Sequence, residues 1–558
     1  MKKYITGLLL VLSTISYAQE GYTQWIEQAE DLAGQDKEES RKKALSYYVE
    51  AFAKYTDSIT LEDRYEGALL AAELKEVDCA FRFLTPMLEE QKDGNGFRGW
   101  TYLLHEDATE EFQNVLTDPR WKVLVDEAQR QKSAFLTVLK QQEKEFFQRK
   151  ELSFTSRAKG EKLYDEIKNY NPYVAKKQRD YSISLQLNDS TKTSYFIHLP
   201  KDYDPTKRYP LLFFLHGAVR YSPLLEFQTA EINLGSWNRY YTQYADRDDV
   251  ILVFPRANKQ YNWMTSDDGF FMVPTILKEI KQVINVEDTK VYLAGHSNGA
   301  TGVFSYWMKQ PTPYAGFYGF NTKPKVMTGG TFIENAKNRS FISFSTDQDY
   351  YYPPQANDDL TALMDQIQAG YKDYRYLGFP HWFPSFDESE PAYALLFDDL
   401  KHRKRNGFSP VLSWEFDDEA YGSIDWLQNM KLDTMQSKAT WHQPLNFKIS
   451  KWLEYDEQDQ LKEVAVDEDA FDFPRASGKV VATYKDNVFR LSTSCIKALS
   501  IYVSPEMIDV QKPIQVYVND KLYYNNKVGY DNAFMLHNFE RYRDRSLVWI
   551  NSIDLIIE

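Results

Sequence analysis

Residues 290–306 read KVYLAGHSNGATGVFSY. Val291, Tyr292, Leu293 and Ala294 form a short apolar, β-prone run, the pattern of a buried parallel strand. Gly295-His296-Ser297-Asn298-Gly299 follows, and then a stretch that reads as a helix. Gly-x-Ser-x-Gly between a strand and a helix has a mechanical consequence. The turn is so tight that its serine takes a strained backbone conformation, and the flanking glycines let strand and helix approach without a side-chain clash. That geometry lifts the Ser297 hydroxyl above the sheet and aims the Asn298 amide at the space where an oxyanion would form. The motif also occurs by chance in long chains, so its neighbours decide its meaning.

Upstream, residues 179–187 (RDYSISLQL) and 193–199 alternate polar and apolar around Asn188-Asp189-Ser190, a β-hairpin pattern. Residues 211–215 (LLFFL) are too short for a helix and are flanked by turn signals, so they read as a central strand ending in His216-Gly217-Ala218. Residues 250–255 (VILVFP) give the next strand, followed by Trp263, Asp267-Asp268 and a helical stretch to Val286. Asp267 and Asp268 read as an N-cap with first-turn charge rather than as a catalytic carboxylate pair. Trp263 reads as lining a cleft, with core packing as the other possibility.

LPKDYDPTKRYPLLFFLHG (199–217) followed downstream by VYLAGHSNGA (291–300) resembles the secreted bacterial esterases of the α/β-hydrolase superfamily: feruloyl-esterase-like, esterase-D-like and polyhydroxybutyrate-depolymerase-like proteins. The resemblance covers about residues 185–400. It implies an oxyanion hole made by the backbone N–H groups of Ala218 and Asn298, with His216, Gly217 and His296 as motif residues. It also implies a triad acid in the loop after the apolar run 341–344, where Asp349 takes the position and Asp347 is the reserve. Ser345-Thr346 stands where those esterases often have His-Gly. The base would be His381, in a glycine-and-aromatic loop beside Trp382, with Pro380 where a glycine is usual. The order Ser297, Asp349, His381 is that of the implied fold. The chemistry needs such a set, because a serine hydroxyl is a weak nucleophile until an imidazole takes its proton and a carboxylate holds the imidazole.

The rest of the 558-residue chain bounds the reading. Lys2-Lys3, the mostly apolar residues 5–15 and Ser16-Tyr17-Ala18 form a signal-peptide pattern cut after Ala18, which implies a periplasmic or secreted protein. No cysteine follows the apolar run, so no lipid anchor is expected there, and no later stretch has the roughly 20 apolar residues of a membrane span. A net charge of −15 argues against nucleic acid and anionic membranes as partners. Two cysteines, Cys79 and Cys495, exclude a cysteine-built metal site and read as unrelated buried thiols. No cofactor or metal motif occurs.

The domain plan that follows is a signal peptide (1–18), a helical domain (19–150), a helical connector (151–178), an α/β-hydrolase domain (179–405) and a β-sandwich (406–558). The first helices pair with alanine at close-contact positions and resemble degenerate tetratricopeptide-type repeats, either a protein-binding arm or a structural appendage. The run KHRKRNG (401–407) reads as a solvated linker, and the alternating strands beyond it as a sandwich. Trp414, Trp426, Trp441 and Trp452 could make a sugar-stacking face, but read better as core and sheet-edge packing. The functional expectation is a serine hydrolase of carboxylic esters, with esters decorating a polysaccharide as one candidate class. A serine peptidase of the prolyl-oligopeptidase kind and an inactive hydrolase-fold binding protein are the alternatives.

Overall fold

The computed structural model describes residues 21–557 except 90–91, 94–95, 106, 153, 155–157, 189–191, 220–233, 258–260, 266–267 and 459. The signal-peptide pattern, most of the 188–190 turn and Asp267 lie outside these residues. The described residues fall into two compact units, one within 21–142 and the other within 143–219 and 234–557.

The described part of the first unit is helical: α1 (21–33), α2 (Glu38–Lys54), α3 (Leu61–Glu73), α4 (Val77–Leu84), α5 (Gly99–Leu103), α6 (Ala108–Glu111) and α7 (Pro119–Phe146), whose end belongs to the second unit. Thr60 caps α3 by accepting the Asp63 N–H at 3.0 Å. Ala29, Ala44, Ala51, Ala68, Ala71, Ala72 and Ala80 are fully buried, which lets these helices approach closely around Tyr48, Phe52, Phe81 and Phe83. Both cysteines are free; Cys495 is buried and Cys79 half-buried.

The second unit is built on an eight-stranded sheet: β1 (Asp180–Gln186), β2 (Lys192–His198), β3 (Tyr209–Leu215), β4 (Ile251–Pro255), β5 (Val286–His296), β6 (Gly316–Phe320), β7 (Ser340–Gln348) and β8 (Tyr371–Pro380), in the order β1-β2-β4-β3-β5-β6-β7-β8. β2 runs antiparallel to β1 and β4, and the other neighbours are parallel. The central strands are apolar nearly throughout because helices cover both faces. In chain order after α8 (Glu161–Lys168) these helices are α9 (Arg239–Asp248), α10 (Asp268–Val283), α11 (Asn298–Lys309), α12 (Pro354–Gln366) and α13 (Glu390–His402). A mixed sheet of this order with flanking helices is an α/β-hydrolase fold.

Beyond α13, β9 (Val411–Phe416), β13 (Gly478–Lys485), β14 (Val488–Ser494), β16 (Ile514–Val518) and β17 (Lys521–Asn526) form a five-stranded sheet. β10 (Leu427–Leu432), β15 (Ile496–Val503) and β18 (Asn551–Ile556) form a three-stranded one. Trp414, Phe489, Ile501, Val516 and Ile553 of both sheets share a core with Trp426 just before β10, Phe539 of α14 (Asn532–Tyr542) and Ile167 of α8. The 151–178 segment thus carries a helix, α8, whose Leu163, Tyr164 and Ile167 pack into this core. A separate hairpin, β11 (Lys448–Tyr455) with β12 (Leu461–Asp469), packs instead on the hydrolase core through Ile449 at its base and, just past β12, Ala470 and Phe471.

The basic run at 401–407 is solvated only in part: Lys401, His402 and Lys404 are exposed, but the two arginines are engaged. Arg403 makes a two-pronged contact with Asp399, and Arg405 is buried against Asp544 at 2.8 Å. Asp544 also meets Lys281 at 3.3 Å, and Asp288 meets Lys281 at 2.7 Å and Arg545 at 3.0 Å. Burial alone would raise the Asp544 pKa, but Arg405 and Lys281 outweigh it and hold the carboxyl far below its usual range. These guanidinium and ammonium groups are spent on joining the C-terminal sheets to the hydrolase sheet. Nor do the four tryptophans share a face: Trp414 and Trp426 are core, Trp441 is exposed against His442, and Trp452 lies on the hairpin.

Candidate active site

Ser297 sits between the last residue of β5 and the first of α11, at φ 55° and ψ −124°. The left-handed φ is the strain that the tight turn demands, and the glycines around it explain how the turn closes. A Cβ on Gly295 would lie 2.5 Å from the Gly299 carbonyl carbon, and one on Gly299 only 1.9 Å from the Leu215 carbonyl oxygen. Asn298 opens α11, so its N–H has no acceptor within the helix.

His381 follows β8 directly and Asp349 follows β7, the adjacent parallel strand. The His381 Nδ1 lies 2.8 Å from Asp349 Oδ1, and its Nε2 lies 2.8 Å from Ser297 Oγ. A carboxylate only accepts, so Nδ1 carries the proton and Nε2 is left to accept from the Ser297 hydroxyl. Asp349 is buried and also accepts the Tyr351 N–H at 2.8 Å and Asn321 Nδ2 at 3.0 Å. Asn321 itself follows β6 at φ 51° and uses its amide again on Thr346 Oγ1 at 2.8 Å. Asp347 lies apart from this series, accepting the Gly378 N–H at 2.7 Å.

His216 and His296 are held neutral, both pushed down to about 4 by burial. A neutral His216 must donate Nδ1–H to the Gly217 carbonyl (2.7 Å) and accept the Ala257 N–H on Nε2 (3.1 Å). In a trans peptide the C=O and N–H point opposite ways, so this contact orients the Ala218 N–H away from the imidazole. Ala218 is at φ 50°, and the Gly217 Cβ position is 3.0 Å from the Ser297 Cβ, so the loop is drawn tight against the serine. His296 donates from Nε2 to the His381 carbonyl at 2.9 Å, and its ring lies 5.1 Å from that of His381.

Trp263 is fully buried, edge-on to His216 at 4.8 Å and tight against Gly302. It packs against His216 and Gly302 rather than facing a cleft. Trp382 is exposed beside His381. The structure thus brings together Ser297, His381, Asp349, His296 and the 216–218 loop, and leaves out Asp347. Sequence reasoning missed Asn321 and Tyr351. The only local signal for Asn321 was an asparagine, tolerant of positive φ, directly after an apolar strand. Among the described residues, no group of three or more His, Cys, Asp or Glu could hold a metal ion, and no helix is long and apolar enough to cross a membrane.

No protein-family model matches the chain, and no curated protein matches it significantly. Solved structures similar to it include a thermostable esterase, 20% identical over 41% of this chain and 64% of that one, with a TM-score of 0.33. S-formylglutathione hydrolase (FrmB) from Staphylococcus aureus is 14% identical over 39% of this chain and 100% of its own, with a TM-score of 0.30. A ferulic acid esterase is 16% identical over 40% and 97%, with a TM-score of 0.31. The chain thus spans less than two thirds of the thermostable esterase. The α/β-hydrolase fold rests on the strand order and the strand–turn–helix at Ser297, not on these likenesses.

Proposed function

We propose that this protein is a serine hydrolase that cleaves carboxylic esters through an acyl-enzyme, with Ser297 as nucleophile, His381 as base and Asp349 as the orienting acid. The observation that carries the reading is the unbroken hydrogen-bonded series Ser297–His381–Asp349, at 2.8 Å per link, with the serine on a strained turn. The Ser297 proton passes to His381 Nε2 as Oγ attacks the ester carbonyl. The resulting oxyanion is held by the N–H groups of Ala218 and Asn298, each worth about 3 kcal/mol to acyl transfer. Collapse expels the alcohol, which takes its proton from Nε2–H, and water attacks the acyl-enzyme by the same route. Asp349 stabilises the imidazolium without itself taking the proton.

The finer parts of the reading are an exported protein, an ester carried on a polysaccharide, a tetratricopeptide-like helical arm that is either protein-binding or a structural appendage, and a C-terminal β-sandwich. The sandwich is supported by the core shared between the five- and three-stranded sheets. The mechanism is tested with a fluorophosphonate probe on wild type, Ser297→Ala and His381→Ala. Labelling of wild type alone is expected; folded wild type that does not label overturns it.

A further inference from the structure

Five rings run through the site in contact. Trp237 meets His296 at 5.1 Å, His296 meets His381 at 5.1 Å, His381 meets Tyr350 at 5.3 Å, and Tyr350 meets Tyr455 at 5.6 Å. The middle ring is the one bonded to Ser297 Oγ. Both ends stand in solvent: Trp237 is 38% exposed, Tyr350 40% and Tyr455 42%, with Trp382 next to His381 at 42%. Elsewhere in this unit the large aromatic side chains are mostly core, so half-exposed rings gathered at one place mark an apolar surface of the kind that binding sites use.

The last of these rings comes from far along the chain. Tyr455 ends β11, at the turn of the β11–β12 hairpin. An isolated two-stranded hairpin is marginal in water, and this one is anchored. Its base enters the hydrolase core through Ile449, Ala470 and Phe471, Trp452 lies edge-on to Tyr352 at 6.0 Å, and the Lys323 ammonium sits 5.2 Å over the Trp452 ring. The anchoring fixes the hairpin alongside the 349–353 loop and delivers its tip to the ring beside His381.

Resting on the serine-hydrolase reading, we propose that the β11–β12 hairpin is one wall of the substrate site. Tyr455, with Tyr350, receives a flat ring carried by the ester. The C-terminal region thereby sets specificity in a reaction whose chemistry belongs wholly to the hydrolase sheet. Stacked or edge-on ring contacts of this kind reward a planar or pyranose face more than a short alkyl chain.

The test compares three esters by proton release: ring-free ethyl acetate, ethyl 3-phenylpropanoate with its ring on the acyl side, and an acetylated xylo-oligosaccharide with its ring on the alcohol side. Wild type is expected to prefer at least one ring-bearing ester. Tyr455→Ala should lower kcat/KM for that ester relative to ethyl acetate by about fivefold or more, mainly through KM, and Tyr455→Phe should restore it. The favoured arm tells which side of the ester the wall receives. An unchanged ratio in Tyr455→Ala, or a wild type that labels with fluorophosphonate yet prefers neither ring-bearing ester, overturns the wall and leaves the serine chemistry standing. A wild type that does not label removes the reading on which it rests.

Discussion

His296 holds the His381 main chain: its neutral imidazole donates from Nε2 to the His381 carbonyl at 2.9 Å, from the position directly before Ser297. The residue that precedes the serine and the residue hydrogen-bonded to its hydroxyl are thus tied, although 85 positions separate them. Loss of this bond should let the base drift from Oγ while the substrate surface stays in place. His296→Ala is expected to lower kcat about tenfold, the cost of one such hydrogen bond, with KM within about twofold. His296→Gln, which can still donate, should recover part of it. Ester kinetics and the fluorophosphonate labelling rate read the outcome, and equal kcat in His296→Ala and wild type would sink the positioning role.

The two candidate acids separate cleanly by substitution. Asp349→Asn leaves an amide where the carboxylate accepts Nδ1–H, and should cost on the order of 10⁴ in kcat by favouring the wrong imidazole tautomer. Asp347→Asn weakens only the contact to the Gly378 N–H and should cost less than about tenfold. A large loss in Asp347→Asn with Asp349→Asn nearly active would reverse the assignment.

Gly299 has no room for a methyl group. Its Cβ would meet backbone atoms of Leu215 and His216 at 1.9–2.8 Å, and backbone cannot swing aside as a side-chain tip can. Gly299→Ala is expected to destabilise by about 3 kcal/mol or more and to sharply reduce soluble yield. Thermal melting of the purified variant checks this, and a melting temperature equal to wild type would mean that the helix shifts freely against β3.

Glu279 on α10 gives the fold a pH dependence. Burial pushes its pKa up to about 7; the Tyr195 hydroxyl, 3.2 Å away, opposes this and the nearby Glu143 adds to it. The folded pKa lies above the unfolded one, so the fold favours the protonated form. That contribution is complete below about pH 4.5 and is lost as pH rises through about 7. Glu279→Gln mimics the protonated form, so it should melt with wild type near pH 5 and a few degrees above it at pH 8. Melting curves at the two pH values decide it: a variant less stable than wild type at pH 8 would contradict the buried, protonation-favouring environment.

Much of the site is local and could be read from residue order. The elbow is one example: apolar strand, Gly-x-Ser-x-Gly and helix lie within 17 residues, and short-range sterics alone dictate the strained serine and its two glycines. The alternating strands beyond residue 405 are another, since a period of two is written in side-chain polarity. Readings that depended on a distant partner fared worse. Arg405 looked like solvated charge because nothing near it in sequence puts Asp544 within reach. Trp263 looked like cleft lining because exposure is settled by what packs on a residue, here His216 and Gly302.

The sequence by itself determined the elbow, the order of serine, acid and histidine, and the strands that carry them, because each is coded by neighbours along the chain. Tertiary structure decided which carboxylate faces His381. Asp347 and Asp349 are two positions apart and would share a face of a regular strand, but the register of β7 on β8 breaks between Thr346 and Gln348, and the two part ways. It also decided that Asn321 holds the acid and that Tyr455 stands beside it all. Those contacts join β6, β7, β8 and a hairpin from the C-terminal region, and no periodicity along one segment records which other segment will pack against it.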